Sequence, residues 1–111
     1  MSDHDDTTSF RQVLDHAREA VDLIARKSRS ALDEDRVLSL ALVRLLEIIG
    51  EAATRLSKEG QAKHPNIAWP QVISLRNRLI HGYDSIDFDI LWQILTQDLP
   101  KLITEIEMGE L

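Results

Sequence analysis

Between Leu38 and Leu56 ten apolar residues recur at helical spacing, and this stretch limits the possible folds more than any other. At about 100° per residue, Leu38, Ala41, Leu42, Leu45, Leu46, Ile48, Ile49, Ala52, Ala53 and Leu56 fill one broad arc. Arg36, Arg44, Glu47, Glu51, Thr54 and Lys58 lie opposite. A helix with so wide an apolar face is stable only when other elements cover it. The pattern predicts a start near Asp33 or Asp35 and an end near Lys58, with Gly60 as the stop. Leu40 and Val43 interrupt the polar side, which points to a second contact surface on the first half of this helix.

The flanking sequence supplies the cover. Phe10, Val13, Leu14, Ala17, Ala20, Val21 and Ile24 predict an earlier amphipathic helix, with Thr8 or Ser9 as its N-cap. Residues 60–70 read as a loop, and Pro70 suits the first turn of a third helix ending near Ile80 or His81. Gly82 and Asp84 suit a turn. A last helix over about Asp87 to Met108 carries Ile90, Leu91, Ile94, Leu95, Leu99, Leu102, Ile103 and Ile106, with Pro100 expected to kink or break it near Leu99. With only four Gly and three Pro, the chain lacks the punctuation an all-β fold needs. The expected architecture is all-α: an up-and-down bundle of four to five helices over residues 10–111, preceded by a flexible tail over residues 1–9.

Composition excludes several chemistries. Without cysteine there are no disulfides, thiolate zinc sites or cysteine nucleophiles, which suits a cytoplasmic protein. The start, Met1-Ser2-Asp3-His4-Asp5-Asp6, is unlike a signal peptide, and no apolar run is long enough to span a membrane. His4, His16 and His64 show no metal-ligand spacing, so no metal or cofactor is expected. The net charge is −6 but unevenly spread: Arg55, Lys58, Lys63, Arg76 and Arg78 face Glu59 alone over residues 52–82, a local net of +4. A basic segment within an acidic chain can still bind phosphate.

That segment ends in Arg76-Asn77-Arg78-Leu79-Ile80-His81-Gly82-Tyr83. On the wheel of a continuous third helix, Arg76 falls within the apolar arc of Val72, Leu75 and Leu79. A guanidinium there must be paired within its own bundle or held at a cleft, where its donors fit phosphate oxygens. Asn77 and His81, four residues apart, share a helical face, so Asn77 could orient the imidazole. Arg76 and His81 lie about 140° apart on that wheel. Either the helix ends before His81, or a second copy supplies one of the two groups. A lone histidine at a helix end is more often a cap, but four polar groups within eight residues favour chemistry.

Arg44, Glu47, Glu51 and Arg55 read first as a solvated salt-bridge ladder, with Glu51 reaching the Arg76 segment as the lesser alternative. Asp84, Asp87 and Asp89 suit a turn and the N-cap of the last helix. Trp69 and Trp92 are read as core residues.

The spacing Arg76-x4-His81-x-Tyr83 resembles the RX4HXY motif of HepT-like HEPN proteins. Leu46-Glu47-Ile48-Ile49-Gly50-Glu51-Ala52-Ala53 resembles the long helix of that family. Ile67-Ala68-Trp69 with Val72-Ile73, Leu91-Trp92 and Asp98-Leu99-Pro100 extend the likeness over residues 10–108. The resemblance implies a homodimeric HEPN bundle whose two motifs meet in a cleft. It implies a metal-independent ribonuclease toxin of a bacterial toxin–antitoxin pair, acting on RNA such as tRNA or mRNA. It also implies a minimal nucleotidyltransferase antitoxin, MntA-like, that silences the toxin by transferring AMP to the motif tyrosine. Carried over, Arg76 and His81 are catalytic with Asn77 positioning, Arg78 binds RNA phosphate, and Tyr83 is the modified hydroxyl. Two other readings fit the same residues: a non-catalytic dimer that binds a nucleotide or RNA end beside its nucleotidyltransferase, and an antitoxin-like partner whose motif is structural.

Overall fold

The computed structural model describes residues 5–81 and 85–109, with the backbone alone described for His81. Apart from one two-residue hairpin, its regular structure is helical. Helix α1 spans Thr7–Leu23, a short α2 spans Ala31–Glu34, and the long α3 spans Arg36–Thr54. They are followed by α4 (Lys58–Ala62), α5 (Trp69–Ile73), α6 (Leu75–Leu79) and the antiparallel strands β1 (Ile80–His81) and β2 (Ser85–Ile86). The chain closes with α7 (Phe88–Gln93), a π turn over Ile94–Asp98, and α8 (Leu99–Met108). No helix among the described residues is long and apolar enough to cross a membrane.

Helix α3 is the spine. Its buried Leu38, Leu42, Leu45, Leu46, Ile49, Ala52 and Ala53 face α1 on one side and α5–α6 on the other. From α1, Phe10, Val13, Leu14, Ala17 and Ala20 are buried against it, and α8 closes on α1 with Leu99, Leu102 and Ile106. Burying an aliphatic side chain of this kind is worth roughly 1.5–3 kcal/mol, so these stripes supply most of the drive to fold. Ala41 is exposed and Ile48 half-buried, because both lie at the edge of the predicted arc. Asp35 caps α3 by accepting the Leu38 amide (3.0 Å), and Asp87 caps α7 through the amides of Asp89 and Ile90. Trp69 is buried and donates its indole N–H to the Gln61 carbonyl (2.9 Å); Trp92 is half-buried.

Several boundaries differ from the sequence expectation. Helix α1 already starts at Thr7, without the cap expected at Thr8 or Ser9. Asp6 accepts from the Ser57 amide (2.9 Å) and hydroxyl (2.5 Å), so residues 6–9 belong to the fold and not to a tail. Gly60 does not stop the spine. Helix α3 ends at Thr54, and Ser57 caps the separate α4 by accepting from the Gly60 amide (2.9 Å), so Gly60 lies inside a helix where a loop was expected. The third helix is two pieces, divided at Ser74 (φ −99°, ψ 18°), whose hydroxyl donates to the Pro70 carbonyl (2.8 Å). The second piece ends at Leu79 because Ile80 turns extended (ψ 124°) and pairs with Ile86, as His81 pairs with Ser85. The α-helical run gives way to a π turn over Ile94–Asp98 and resumes at Leu99, the interruption expected at Pro100. Lacking an N–H, Pro100 sits just past a π turn in which the Leu99 amide reaches back five residues to the Ile94 carbonyl. The turn expected at Gly82 and Asp84 lies outside the described residues.

Arg26, in the turn after α1, has a positive φ of 65°. A left-handed conformation costs a residue with a Cβ about 1–2 kcal/mol, while glycine brings an unfolded-state entropy penalty of about 0.5–1 kcal/mol. Arg26→Gly is therefore expected to stabilise the chain by a few tenths to about 1 kcal/mol, read as a rise in denaturant midpoint with unchanged slope. An unchanged or lower midpoint would show that the Arg26 side chain contributes more than its backbone strain costs.

Candidate active site

Leu75 and Leu79 are buried and pin α6 to the core, so the residues between them are turned outward. Arg76 and Asn77 are exposed on one side, and Arg78 is half-buried on the other. The expectation of Arg76 in an apolar arc fails for a local reason. It assumed one continuous helix from Val72 to His81, and the break at Ser74 resets the angular register before Arg76.

The guanidinium of Arg76 is nonetheless paired. Its Nε lies 2.7 Å from Glu47 Oε2, while the Arg76 side chain keeps 51% of its surface exposed. The other carboxylate oxygen of Glu47, Oε1, accepts from Arg44 Nη1 at 2.5 Å. Arg76, Asn77 and Ile73 line one open cleft with Glu47, Gly50, Glu51 and Thr54 from α3. Glu51 thus lines the same cleft as Arg76. The ladder itself keeps only its Arg44–Glu47 rung, since Arg55 donates to Gln12 (3.4 Å). Neither paired arginine group is deeply buried, and pairs of this kind add about 0–1 kcal/mol to stability. Their value is in placement.

The approach of α3 to α5 is set by Gly50. A Cβ at that position would stand 2.8 Å from the Ile73 carbonyl oxygen and 3.4 Å from that of Val72. Only a glycine lets the two backbones come this close, and that closeness brings Glu47 within reach of Arg76.

Arg78 does not join this cleft. Its Nη2 donates to Asp98 Oδ2 (2.9 Å), and the pair borders a separate groove floored by Ile67, Val72, Leu75, Leu99 and Leu102. Asn77 and His81 do not share a helical face, since α6 ends at Leu79 and the backbone of His81 lies on a strand. The helix thus ends before His81, the first of the two arrangements left open by the sequence. The His81 side chain and Tyr83 lie outside the described residues. Sequence reasoning missed Glu47 as a site residue. Its signals were the Arg44 three residues before it and its place in the stretch resembling the family's long helix.

The chain matches the family described as Ribonuclease HepT-like over residues 13–108. It is 32% identical over 108 residues to a Methanocaldococcus jannaschii protein named as a candidate RNase, covering 97% of this chain and 99% of that protein. A Thermococcus cleftensis protein named "Probable ribonuclease HepT" is 34% identical over 98 residues, 85% of this chain and 89% of its own length. No solved structure matches.

Proposed function

Because this chain belongs to the HepT-like ribonuclease family, we propose that it is a metal-independent RNA endonuclease, the toxin of a bacterial toxin–antitoxin pair. The observation that carries this reading is the Arg76 guanidinium. It is ion-paired through Nε at the mouth of an open cleft, five residues before a histidine, and half of its side-chain surface stays exposed.

RNA carries its own nucleophile. The 2′-oxygen attacks the adjacent phosphorus, the bond to the 5′-oxygen breaks, and the products are a 2′,3′-cyclic phosphate and a 5′-hydroxyl. The protein must align these atoms, move two protons and stabilise charge on the phosphoryl oxygens. His81 serves as the acid–base group, since an imidazole can both accept and donate a proton. Arg76 faces the phosphoryl oxygens with the donor geometry suited to them, and Asn77 positions the substrate. Arg78, held by Asp98 on the far side of α6, is left out of this set. No cofactor or metal ion has a step in this scheme.

Two copies are expected to form the working unit. Val37 (77% exposed), Leu40 (54% exposed) and Ala41 lie uncovered on the outer side of α3, and that face runs on into Arg44 and the cleft. A second copy placed there would cover the apolar patch and bring its own motif to the same groove. Control is assigned to Tyr83. A nucleotidyltransferase partner would direct the tyrosine oxygen onto the α-phosphate of ATP, with pyrophosphate leaving. AMP two residues from His81 then puts bulk and negative charge where an RNA phosphate must sit.

The test uses the purified full chain with labelled RNA in EDTA. Cleavage should persist without divalent ions, yield cyclic-phosphate ends, and leave DNA intact. Incubation with the partner and ATP should add AMP masses to the wild type and none to Tyr83→Phe. Intact RNA throughout, with Arg76→Ala altering only binding, would support the non-catalytic dimer instead. Growth inhibition that survives His81→Ala would support the antitoxin-like reading.

A further inference from the structure

We propose that Glu47, steadied by Arg44, is a positioning residue for Arg76, so that the outward polar face of α3 completes the site that α6 begins. This rests on the ribonuclease reading above. Three observations carry it.

The first is which atoms are used. Glu47 contacts Arg76 at Nε, on the inner edge of the guanidinium, and not at the outer fork. A carboxylate that competed with substrate would occupy the two terminal amino groups, the edge that matches a phosphate. An ion pair at Nε instead anchors the inner edge of the guanidinium beside Glu47 while half of the Arg76 side chain stays open to a ligand.

The second is that Glu47 is itself fixed. Its Oε1 accepts from Arg44 one turn earlier on α3, so both oxygens are engaged and the carboxylate has little freedom to swing. Arg44 donates to Glu47, and Glu47 is ion-paired with Arg76 (Nε to Oε2, 2.7 Å), so alternating charges run from the spine to the cleft. The third is burial. Glu47 is more enclosed (29% exposed) than either Arg44 (61%) or Arg76 (51%), so it is the stiff centre of the chain.

Exposed ion pairs of this kind do little for stability, which separates positioning from folding. A misdirected arginine matters far more to catalysis, where a displacement of about 1 Å can cost on the order of a hundredfold. Charge makes the signature distinctive. Removing Glu47 leaves Arg44 and Arg76 without their counter-ion, so the cleft becomes more attractive to a phosphate backbone even as it becomes less able to act on one.

The experiment compares wild type with Glu47→Ala, Glu47→Gln and Arg44→Ala as full chains. Single-turnover cleavage of an RNA gives the rate, and the same oligonucleotide with deoxyribose at the scissile position gives binding without turnover. Glu47→Ala should lower the rate by about ten- to a hundredfold, with binding of the deoxy probe equal or tighter and the melting temperature nearly unchanged. Glu47→Gln keeps the size of the side chain without its charge and should recover part of the rate, and Arg44→Ala should give a milder loss than Glu47→Ala.

A readout independent of cleavage is the Nε–Hε signal of Arg76 in a nitrogen–proton correlation spectrum, assigned by its loss in Arg76→Lys. It should shift between wild type and Glu47→Ala, because the carboxylate 2.7 Å from Nε is removed. A higher cleavage rate in Glu47→Ala would mean that Glu47 blocks the site, and would overturn the proposal. So would an Nε–Hε signal that Glu47→Ala leaves unaltered, or a rate loss matched by a lower melting temperature and not relieved in Glu47→Gln. If wild type leaves RNA intact while the Nε–Hε signal responds as expected, the ribonuclease reading fails and the positioning of Arg76 stands.

Discussion

His81→Ala is expected to slow RNA cleavage by about 10²–10⁴-fold, the usual contribution of a positioned acid–base group. Arg76→Ala is expected to cost about 10²–10³-fold, the range for removing one donor that stabilises transition-state charge. The two effects should not add. Proton transfer at the 2′- and 5′-oxygens and charge stabilisation on the same phosphorane act on one event, so the double variant should fall little below the worse single variant. Single-turnover rates with end-labelled RNA in EDTA measure this directly, and the deoxy analogue should bind His81→Ala about as well as wild type. Arg76→Ala should bind that analogue more weakly, because a phosphate contact is lost with it. Cleavage within threefold of wild type in either single variant would remove that residue from the catalytic set.

The second large effect is expected at Gly50, far in sequence from the motif. A methyl group there would stand 2.8 Å from the Ile73 carbonyl oxygen, so a helix backbone must move and not merely a side chain. Overpacking of this kind typically costs about 1–3 kcal/mol. Alanine's better helix propensity returns up to about 1 kcal/mol of that. Gly50→Ala should therefore lose roughly 1–2 kcal/mol by denaturant unfolding, a fall in melting temperature on the order of 5–10 °C for a chain of this size. The functional loss should exceed what the folded fraction explains. Displacing α5 draws α6 with it and lengthens the Glu47–Arg76 contact. Folded Gly50→Ala should thus resemble Glu47→Ala in rate while differing from it in stability. A variant as stable and as active as wild type would show that α5 relaxes without moving Arg76.

How far the sequence could be read follows from what each element depends on. Helices α1, α3 and α8 are long, and their apolar residues keep period through most of their length, so periodicity alone locates them and most of their buried faces. Helix α4 and the α5–α6 break are short and turn on single hydrogen bonds, from the Gly60 amide to the Ser57 hydroxyl and from the Ser74 hydroxyl to a carbonyl. Serine is compatible with helix, cap and loop alike, so composition does not reveal which it will do. That one break at Ser74 accounts for the misjudged surroundings of Arg76, since every angle beyond it had been counted through an unbroken helix. The residues of the motif were legible because their types and spacing are unusual together. Glu47 was not, because its partner is supplied by an approach of two helices that only Gly50 permits. On its own helix it is simply another polar residue beside an arginine.

The π turn before Pro100 has a consequence for the length of the chain. It holds one residue more than an ordinary turn would, and so resets the phase of everything after it. Leu91 before the turn, Ile94 and Leu95 within it, and Leu99, Leu102 and Ile106 after it are all buried in the core. A deletion of one residue inside the turn would take up the surplus and leave α8 on its face, whereas a deletion within α8 would rotate the rest of its apolar stripe by about 100°. Gaps of equal size between this chain and its relatives are therefore unequal events, and one falling between Ile94 and Asp98 marks a last helix that runs without the π turn.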